Sequence, residues 1–414
     1  MLIEFSATNF RSLRETQTLS LAASKYFREM KEQNSFEVGI KGLPRLLRSA
    51  VIYGPNASGK SNFLSSLAYM RYMVLSSAVK IQEGQELDVT PFLLDHDSKD
   101  KESEFEAIFI EEGIRYQYGF AINKTRVLRE WLIAYPEGRP QRWFDREYDP
   151  KTREYTYEFS SKFLGGRLRQ DWKKATRGNA LFFSVAVQFN SEQLKPVFHW
   201  FQKRLRTVKY FSPGQTISIC ESDVGKKNVA SFLNTADLSI VDILIDKKNF
   251  LPENLPKEMS VELKEHLRKE MEGKEIAEIK FLHKNPKTGG LVPFNAHEES
   301  DGTRNLFAFA GPWLDVMEND KILLVDEIDS SLHPLVVHQL IRLLHGSKGK
   351  SQLVFTTHDT TLLSQDIMRR DQVWFIERDR SNASKLYPLS DFNIREREKT
   401  LLSDGGPRFG NLMM

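Results

Sequence analysis

Gly54-Pro55-Asn56-Ala57-Ser58-Gly59-Lys60-Ser61 sets two glycines with four residues between them and follows the second with a lysine and a hydroxyl. Before it runs Ser49-Ala50-Val51-Ile52-Tyr53, a short apolar, β-prone stretch. After it, Asn62 to Met70 places Phe63, Leu64, Leu67 and Met70 at helical spacing. Strand, glycine-rich turn and helix is the context in which this spacing becomes a phosphate-binding loop. Backbone N–H groups of Asn56, Ala57, Ser58 and Gly59, with the positive end of the new helix, then face phosphate oxygens. Lys60 reaches the β- and γ-phosphates and the Ser61 hydroxyl ligates Mg²⁺. A glycine-rich turn that matches by accident has no reason to carry these flanks, so the stretch is read as a nucleotide site.

The 414 residues exceed one ordinary core and predict two or three domains. Forty per cent apolar and 28% charged is a globular composition. No apolar run approaches the roughly 20 residues that span a bilayer, and Met1 to Ser6 lacks the pattern of a signal peptide. A single cysteine, Cys220, excludes an internal disulfide and a cysteine-based metal cluster. These features predict a cytoplasmic protein with no membrane partner.

Leu2 to Phe10 alternates like a half-buried strand, and Leu13 to Leu21 continues the pattern. Arg11 falls where this sheet meets the nucleotide. It either lies against a phosphate or is a solvated arginine at a strand end. Beyond the loop helix, which is expected to run on through Met73 towards Val79, three alternating runs follow at 103–110, 115–122 and 127–134. Gly113 and Asn123 mark the turns of a β-meander. The breaker cluster Pro136-Glu137-Gly138-Arg139-Pro140 then opens a segment, 136–275, in which helical patterns are expected. Its stretch 161–210 holds eleven basic residues against two acidic ones, interleaved with Trp172, Phe182, Phe183, Phe189, Phe198, Trp200, Phe201 and Tyr210. Either the aromatics form a helical core under solvated lysines, or the stretch grips nucleic acid. Val261, Leu263, Leu267 and Met271 predict an amphipathic helix over 252–271.

Strand patterns return at 276–283 and 290–295, before Ser300-Asp301-Gly302-Thr303 opens a helix carrying Phe307, Phe309 and Trp313. Ser300 and Gly302 at a helix start again form an anion-binding geometry. Lys321 to Val325 is apolar throughout, as a central parallel strand is, and it ends in Asp326 and Glu327. Asp326 would hold Mg²⁺ opposite Ser61, and Glu327 would act as general base towards water. Gln352 to Thr357 is a second buried strand ending at His358, a candidate partner of the γ-phosphate. Further strands are expected at 373–376 and 385–389, with a glycine-rich tail at 405–410.

Together, Asn9-Phe10-Arg11-Ser12, the phosphate loop, Glu299 to Thr303, Asp326 to Asp329, Thr357-His358-Asp359 and the glycine-rich C-terminus resemble the ATP-binding-cassette (ABC) ATPase heads of SMC, RecF and OLD proteins. More narrowly, they resemble the RloA-like and AbiLi-like ATPases of the AAA-15 class. The resemblance implies an α/β fold: a P-loop ABC-type head with an antiparallel β-subdomain and an inserted, mainly helical subdomain. Its lobes would be 1–135 and 276–414, around an insertion at 136–275. It implies ATP and Mg²⁺, bound by Lys60, Ser61 and Asp326, with Glu327 activating water and His358 sensing the γ-phosphate. Ser300 and Gly302 would cap ATP held by a second protomer, giving at least a dimer. The family position of a D-loop aspartate is His333 here, and no glutamine stands where a Q-loop is expected. The resemblance also implies a separate effector protein encoded nearby and a role in antiphage defence. A RecF-like DNA-repair ATPase, contacting DNA through 161–210, and a scaffold that binds ATP with little turnover are the competing readings.

Overall fold

The computed structural model describes residues 1–208, 211–236, 238–249, 275–330, 332–363 and 366–392, and singly 260, 264, 265 and 268. The helix expected over 252–271 falls almost wholly outside them, and the tail at 405–410 entirely so. Two compact units emerge. The first is Met1–Lys209 with Val316–Ser330 and Leu340–Met414, and the second is Tyr210–Asp315 with Ser331–Gln339.

In chain order the first unit holds β1 (Leu2–Thr8), β2 (Gln17–Ser20), β3 (Ser35–Phe36), β4 (Leu46–Leu47) and β5 (Ser49–Tyr53). Then come β6 (Ser103–Glu111), β7 (Ile114–Ile122), β8 (Val127–Tyr135), β9 (Gln141–Asp149), β10 (Glu154–Phe159) and β11 (Leu205–Val208). The second unit contributes β12 (Ile240–Asn249), β13 (Glu275–Lys284) and β14 (Leu291–Asn295). The first resumes with β15 (Ile322–Val325), β16 (Gln352–Thr356), β17 (Val373–Arg378) and β18 (Ser384–Pro388).

Two sheets organise the first unit. One is antiparallel, ordered β10-β9-β8-β7-β6-β1-β2. The other is ordered β11-β15-β16-β5-β17-β18, parallel except for its last pair. Strands β5, β15 and β16 are buried at every position, as their unbroken apolar runs require of central parallel strands. The helix Lys60–Ser76 packs between the sheets. Its Phe63, Leu67, Met70 and Met73 join one core with Phe5, Phe105 and Phe109 of the antiparallel sheet and Ile52, Leu324 and Val354 of the parallel one. Burial on more than one face is what a helix between two layers needs. It ends at Ser76, short of Val79.

The breaker cluster at 136–140 closes a hairpin: β8 and β9 pair antiparallel around it, with Gly138 at φ 75°. Strands β9 and β10 thus extend the meander past residue 136, and the helices of this segment lie on either side of β11, between Leu168 and Arg204 and between Gly214 and Asn234. Charged residues conceal β9, but they are matched across the sheet. Glu130 of β8 lies 3.6 Å from Arg146 of β9. Asp145 meets Arg129 and Arg142, each at 3.0 Å. The aromatics at 172, 182, 183, 200 and 201 are buried in the core. Several of the nearby cations are engaged by protein as well. Arg177 donates to the carbonyls of Ser77, Ala78 and Ile81, and Lys173 lies 4.9 Å from the Tyr157 ring centre.

In the second unit β12, β13 and β14 form an antiparallel sheet, with Phe281 of β13 edge-on to Phe307 of the helix Asp301–Glu318. Thr216 donates to the Phe307 carbonyl and accepts from Gly311 N–H, both at 2.8 Å. A side chain at 311 would collide with the Thr216 backbone, so glycine permits this approach. Among the described residues no helix is long and apolar enough to cross a membrane.

Candidate nucleotide-binding site

Strand β5 delivers the chain into Gly54–Gly59, and Lys60 opens the helix. Two glycines there are sterically required. A Cβ at Gly54 would collide with the Ile376 carbonyl, and one at Gly59, whose φ is 110°, with Ser384 Oγ. Ala57 also takes a positive φ of 61°. Asn56 and Ala57 are exposed, whereas Ser58, Gly59 and Lys60 are buried. The Lys60 ammonium donates to the Gly54 carbonyl at 2.6 Å and to that of Pro55 at 3.3 Å, closing the loop on itself. Ser61, half-buried, follows on the first helical turn.

Strands β5 and β15 are separated only by β16, so the phosphate loop and the Asp326-Glu327 segment emerge at the same edge of the sheet. Their charges interact. Burial pulls the Lys60 pKa down, and the carboxylates of Glu327, Asp326 and Asp329 oppose that shift. Thr356, at the end of β16, links the two acids. Its hydroxyl donates to Asp326 Oδ1 and accepts the Glu327 backbone N–H, each at 2.7 Å. Glu327 sits at φ 49°, a left-handed conformation that costs about 1–3 kcal/mol for such a residue, and its side chain is exposed. His358 is also exposed, and its backbone N–H donates to Asp329 Oδ2 at 3.0 Å.

Arg11 lies in a tight turn where Phe10 N–H meets the Leu13 carbonyl at 2.8 Å. Its φ is 53° and its guanidinium lies 5.1 Å from the Phe10 ring centre. The adjoining Ser12 hydroxyl accepts from Asn62 of the loop helix at 2.8 Å and lies 2.8 Å from Ser384 Oγ, and Ser384 donates its proton to the Ser58 carbonyl at 2.6 Å. The Arg11 turn is thereby fastened to the base of the phosphate loop. Ser300 and Gly302 belong to the second unit. Ser300 Oγ accepts the Thr303 N–H at 3.1 Å, as an N-cap does, and Gly302 is exposed.

These groups suit a triphosphate with a hard divalent cation. Ser58 Oγ is buried with no hydrogen-bond partner among the described residues, and so is Asp329 Oδ1. Ser61 and Asp326 offer the oxygen ligands that Mg²⁺ prefers. No group of three or more His, Cys, Asp or Glu side chains converges among the described residues, so a cation here would complete its shell with phosphate and water oxygens. Sequence reasoning missed Thr356, Ser12, Asn62 and Ser384. Thr356 carried a faint signal, as a hydroxyl closing an otherwise apolar strand. The Ser384–Ser58 bond spans 326 residues and carried none.

A family profile described as "AAA domain, putative AbiEii toxin, Type IV TA system" matches residues 49–164 and 207–364, well over half of the chain. No curated protein sequence matches it. Among solved structures, the SMC head domain from Thermotoga maritima aligns at 14% identity and TM-score 0.41, covering 94% of this chain and 98% of that one. An SMC head bound to the C-terminal winged-helix domain of ScpA aligns at 14% identity and TM-score 0.43, covering 96% and 99%.

Proposed function

Since the chain belongs to the AAA-domain family whose profile it matches, we propose that it is a cytoplasmic, Mg²⁺-dependent ATPase that dimerises around ATP to control a separate effector. The observation that carries this reading is the meeting of Lys60 with Asp326 and Glu327 at one sheet edge. The loop amides of Asn56 to Lys60 and the Lys60 ammonium would hold the phosphates, with Arg11 beside them. Ser61 and Asp326 would hold Mg²⁺, which supplies positive charge against the β- and γ-oxygens. Glu327 takes the proton from the attacking water while the bond from the γ-phosphorus to the bridging oxygen breaks and ADP leaves. Thr356 holds the Asp326 carboxylate and the Glu327 backbone for this, and His358 would hold a γ-phosphate oxygen. Ser300 and Gly302, at an exposed helix start, suit capping of ATP held by a second copy.

The family's description names a putative toxin of a toxin–antitoxin system; that the effector is a toxic partner, in antiphage defence of the RloA/AbiLi kind, is part of the proposal. Phosphate release by the wild type and by Glu327→Gln tests the chemistry. A loss of about 10²–10⁴-fold is expected, with Glu327→Gln accumulating as an ATP-bound dimer of doubled mass. Equal rates, or a monomer under every condition, would refute it.

A further inference from the structure

Glu327 and Asp329 flank the fully buried Ile328, and the hydrolysis proposed for this site engages only the first. Ile328–Ser330 forms a single 3₁₀ turn, in which the Ser330 N–H meets the Glu327 carbonyl at 2.9 Å. The parallel pairing of β15 with β16 stops at Val325 and Phe355. Past that point side chains tie the two strand ends together. Thr356 makes the first tie, to the Asp326 carboxylate and the Glu327 N–H. Asp329 makes the second, its Oδ2 accepting the His358 backbone N–H at 3.0 Å.

The place of the His358 ring is set by its backbone. The ring is exposed, with no hydrogen-bond or ion-pair partner among the described residues. Just beyond it, the Asp359 N–H donates to Thr357 Oγ1 at 3.0 Å, and the Asp359 carbonyl accepts the Tyr53 hydroxyl at 2.9 Å. Burial, and after it the charges of Asp359 and Asp329, raise the Tyr53 pKa, so that hydroxyl stays a donor. Groups at the ends of β5, β15 and β16 thus clamp residues 357–359 and leave the imidazole exposed. A neutral acceptor would serve such a clamp at less cost. Asp329 instead adds a third carboxylate to the field that Lys60 feels from Glu327 and Asp326. Its Oδ1 is buried with no hydrogen-bond partner among the described residues. Like charges gathered in this way are found where position or charge serves a ligand.

Given the ATPase reading, on which this rests, we propose that Asp329 is a positioning residue for hydrolysis. It holds the His358 backbone so that the imidazole meets the same γ-phosphate whose attacking water Glu327 activates. Displacing such a group by about 1 Å costs on the order of a hundredfold in rate. Binding of ATP does not depend on this bond, and removing the Asp329 charge near Lys60 lessens repulsion of an anionic ligand.

The test measures phosphate release and MgATP affinity of the full chain. Asp329→Ala should lower kcat by about ten- to a hundredfold, the worth of a hydrogen bond to a charged group, without weakening MgATP binding by calorimetry. Asp329→Asn keeps the shape and an acceptor, and should recover at least about threefold of that loss. In a His358→Ala background, Asp329→Ala should cost less than about twofold, because the two residues act as one unit. A wild type that releases no phosphate would bring down the ATPase reading and this role together. With an active wild type, this role alone is overturned by a full-rate Asp329→Ala, by weakened MgATP binding, by no recovery in Asp329→Asn, or by an equal loss in the His358→Ala background. Should Asp329→Ala fail to fold, Asp329→Asn is compared in both backgrounds. A deficit only beside His358 supports the role, and no deficit, or the same deficit in both, overturns it.

Discussion

Two places in the first unit bring opposite charges together, and they do so in opposite ways. In the antiparallel sheet, Glu130 and Arg146 are fully buried and closed upon each other. Glu130 also accepts the N–H groups of Phe182 and Phe183 at 2.7 and 2.9 Å and the Tyr118 hydroxyl at 3.1 Å. Burial raises its pKa even so, while Arg146 and these donors pull it down. At the edge of the parallel sheet, Lys60 bonds two neutral carbonyls, and no carboxylate among the described residues lies in ion-pair contact with it. The neutral Thr356 holds the Asp326 carboxylate and the Glu327 backbone N–H instead. Charges that close on one another fasten the helix at 182–188 to its sheet. Charges held apart by neutral spacers remain available to a ligand.

If that contrast is right, Glu130→Ala should cost about 3–5 kcal/mol, because it strands a buried arginine. A fall in the urea midpoint would register it, with ATP affinity of the folded protein unchanged. Stability equal to wild type would break the comparison. Thr356→Val should leave the fold nearly intact but lower turnover by about tenfold, roughly the worth of one hydrogen bond to a charged group. Undiminished phosphate release would mean that the spacer does not orient the acids.

A third polar cluster sharpens the contrast with the smallest effect per unit measured. His345 is buried, 2.9 Å from Ser49 Oγ, and burial, aided by the Arg48 charge, lowers its pKa from 6.5 to about 3. The unfolded chain therefore binds a proton that the folded chain refuses. This contribution is complete above pH 6.5 and is lost as pH falls towards 3, at about 1.4 kcal/mol per pH unit. Denaturation midpoints against pH, compared with His345→Gln, should show the slope only in the wild type, and parallel profiles would contradict it.

Much of the architecture was legible because its patterns are local. Alternation at 103–134 gave β6 to β8, and the apolar run ending in Asp326 gave β15. Strand β9 was hidden because Arg142, Asp145 and Arg146 look solvent-facing until their partners across the sheet are known. That Lys60 opens a helix after β5 and that Asp326 and Glu327 follow β15 was likewise legible from motif spacing. Thr356, Ser12 and Ser384 were not, because their roles depend on which strands become neighbours. No local pattern places β16 between β5 and β15.

The central claim is that Lys60, delivered by β5, and Asp326 and Glu327, delivered by β15, serve one nucleotide. Calorimetric titration of MgATP into wild type and Lys60→Ala tests it most directly. The account predicts a single saturable isotherm at the phosphate loop, weakened about a hundredfold or more in the variant. Wild-type affinity in a folded Lys60→Ala protein would contradict it.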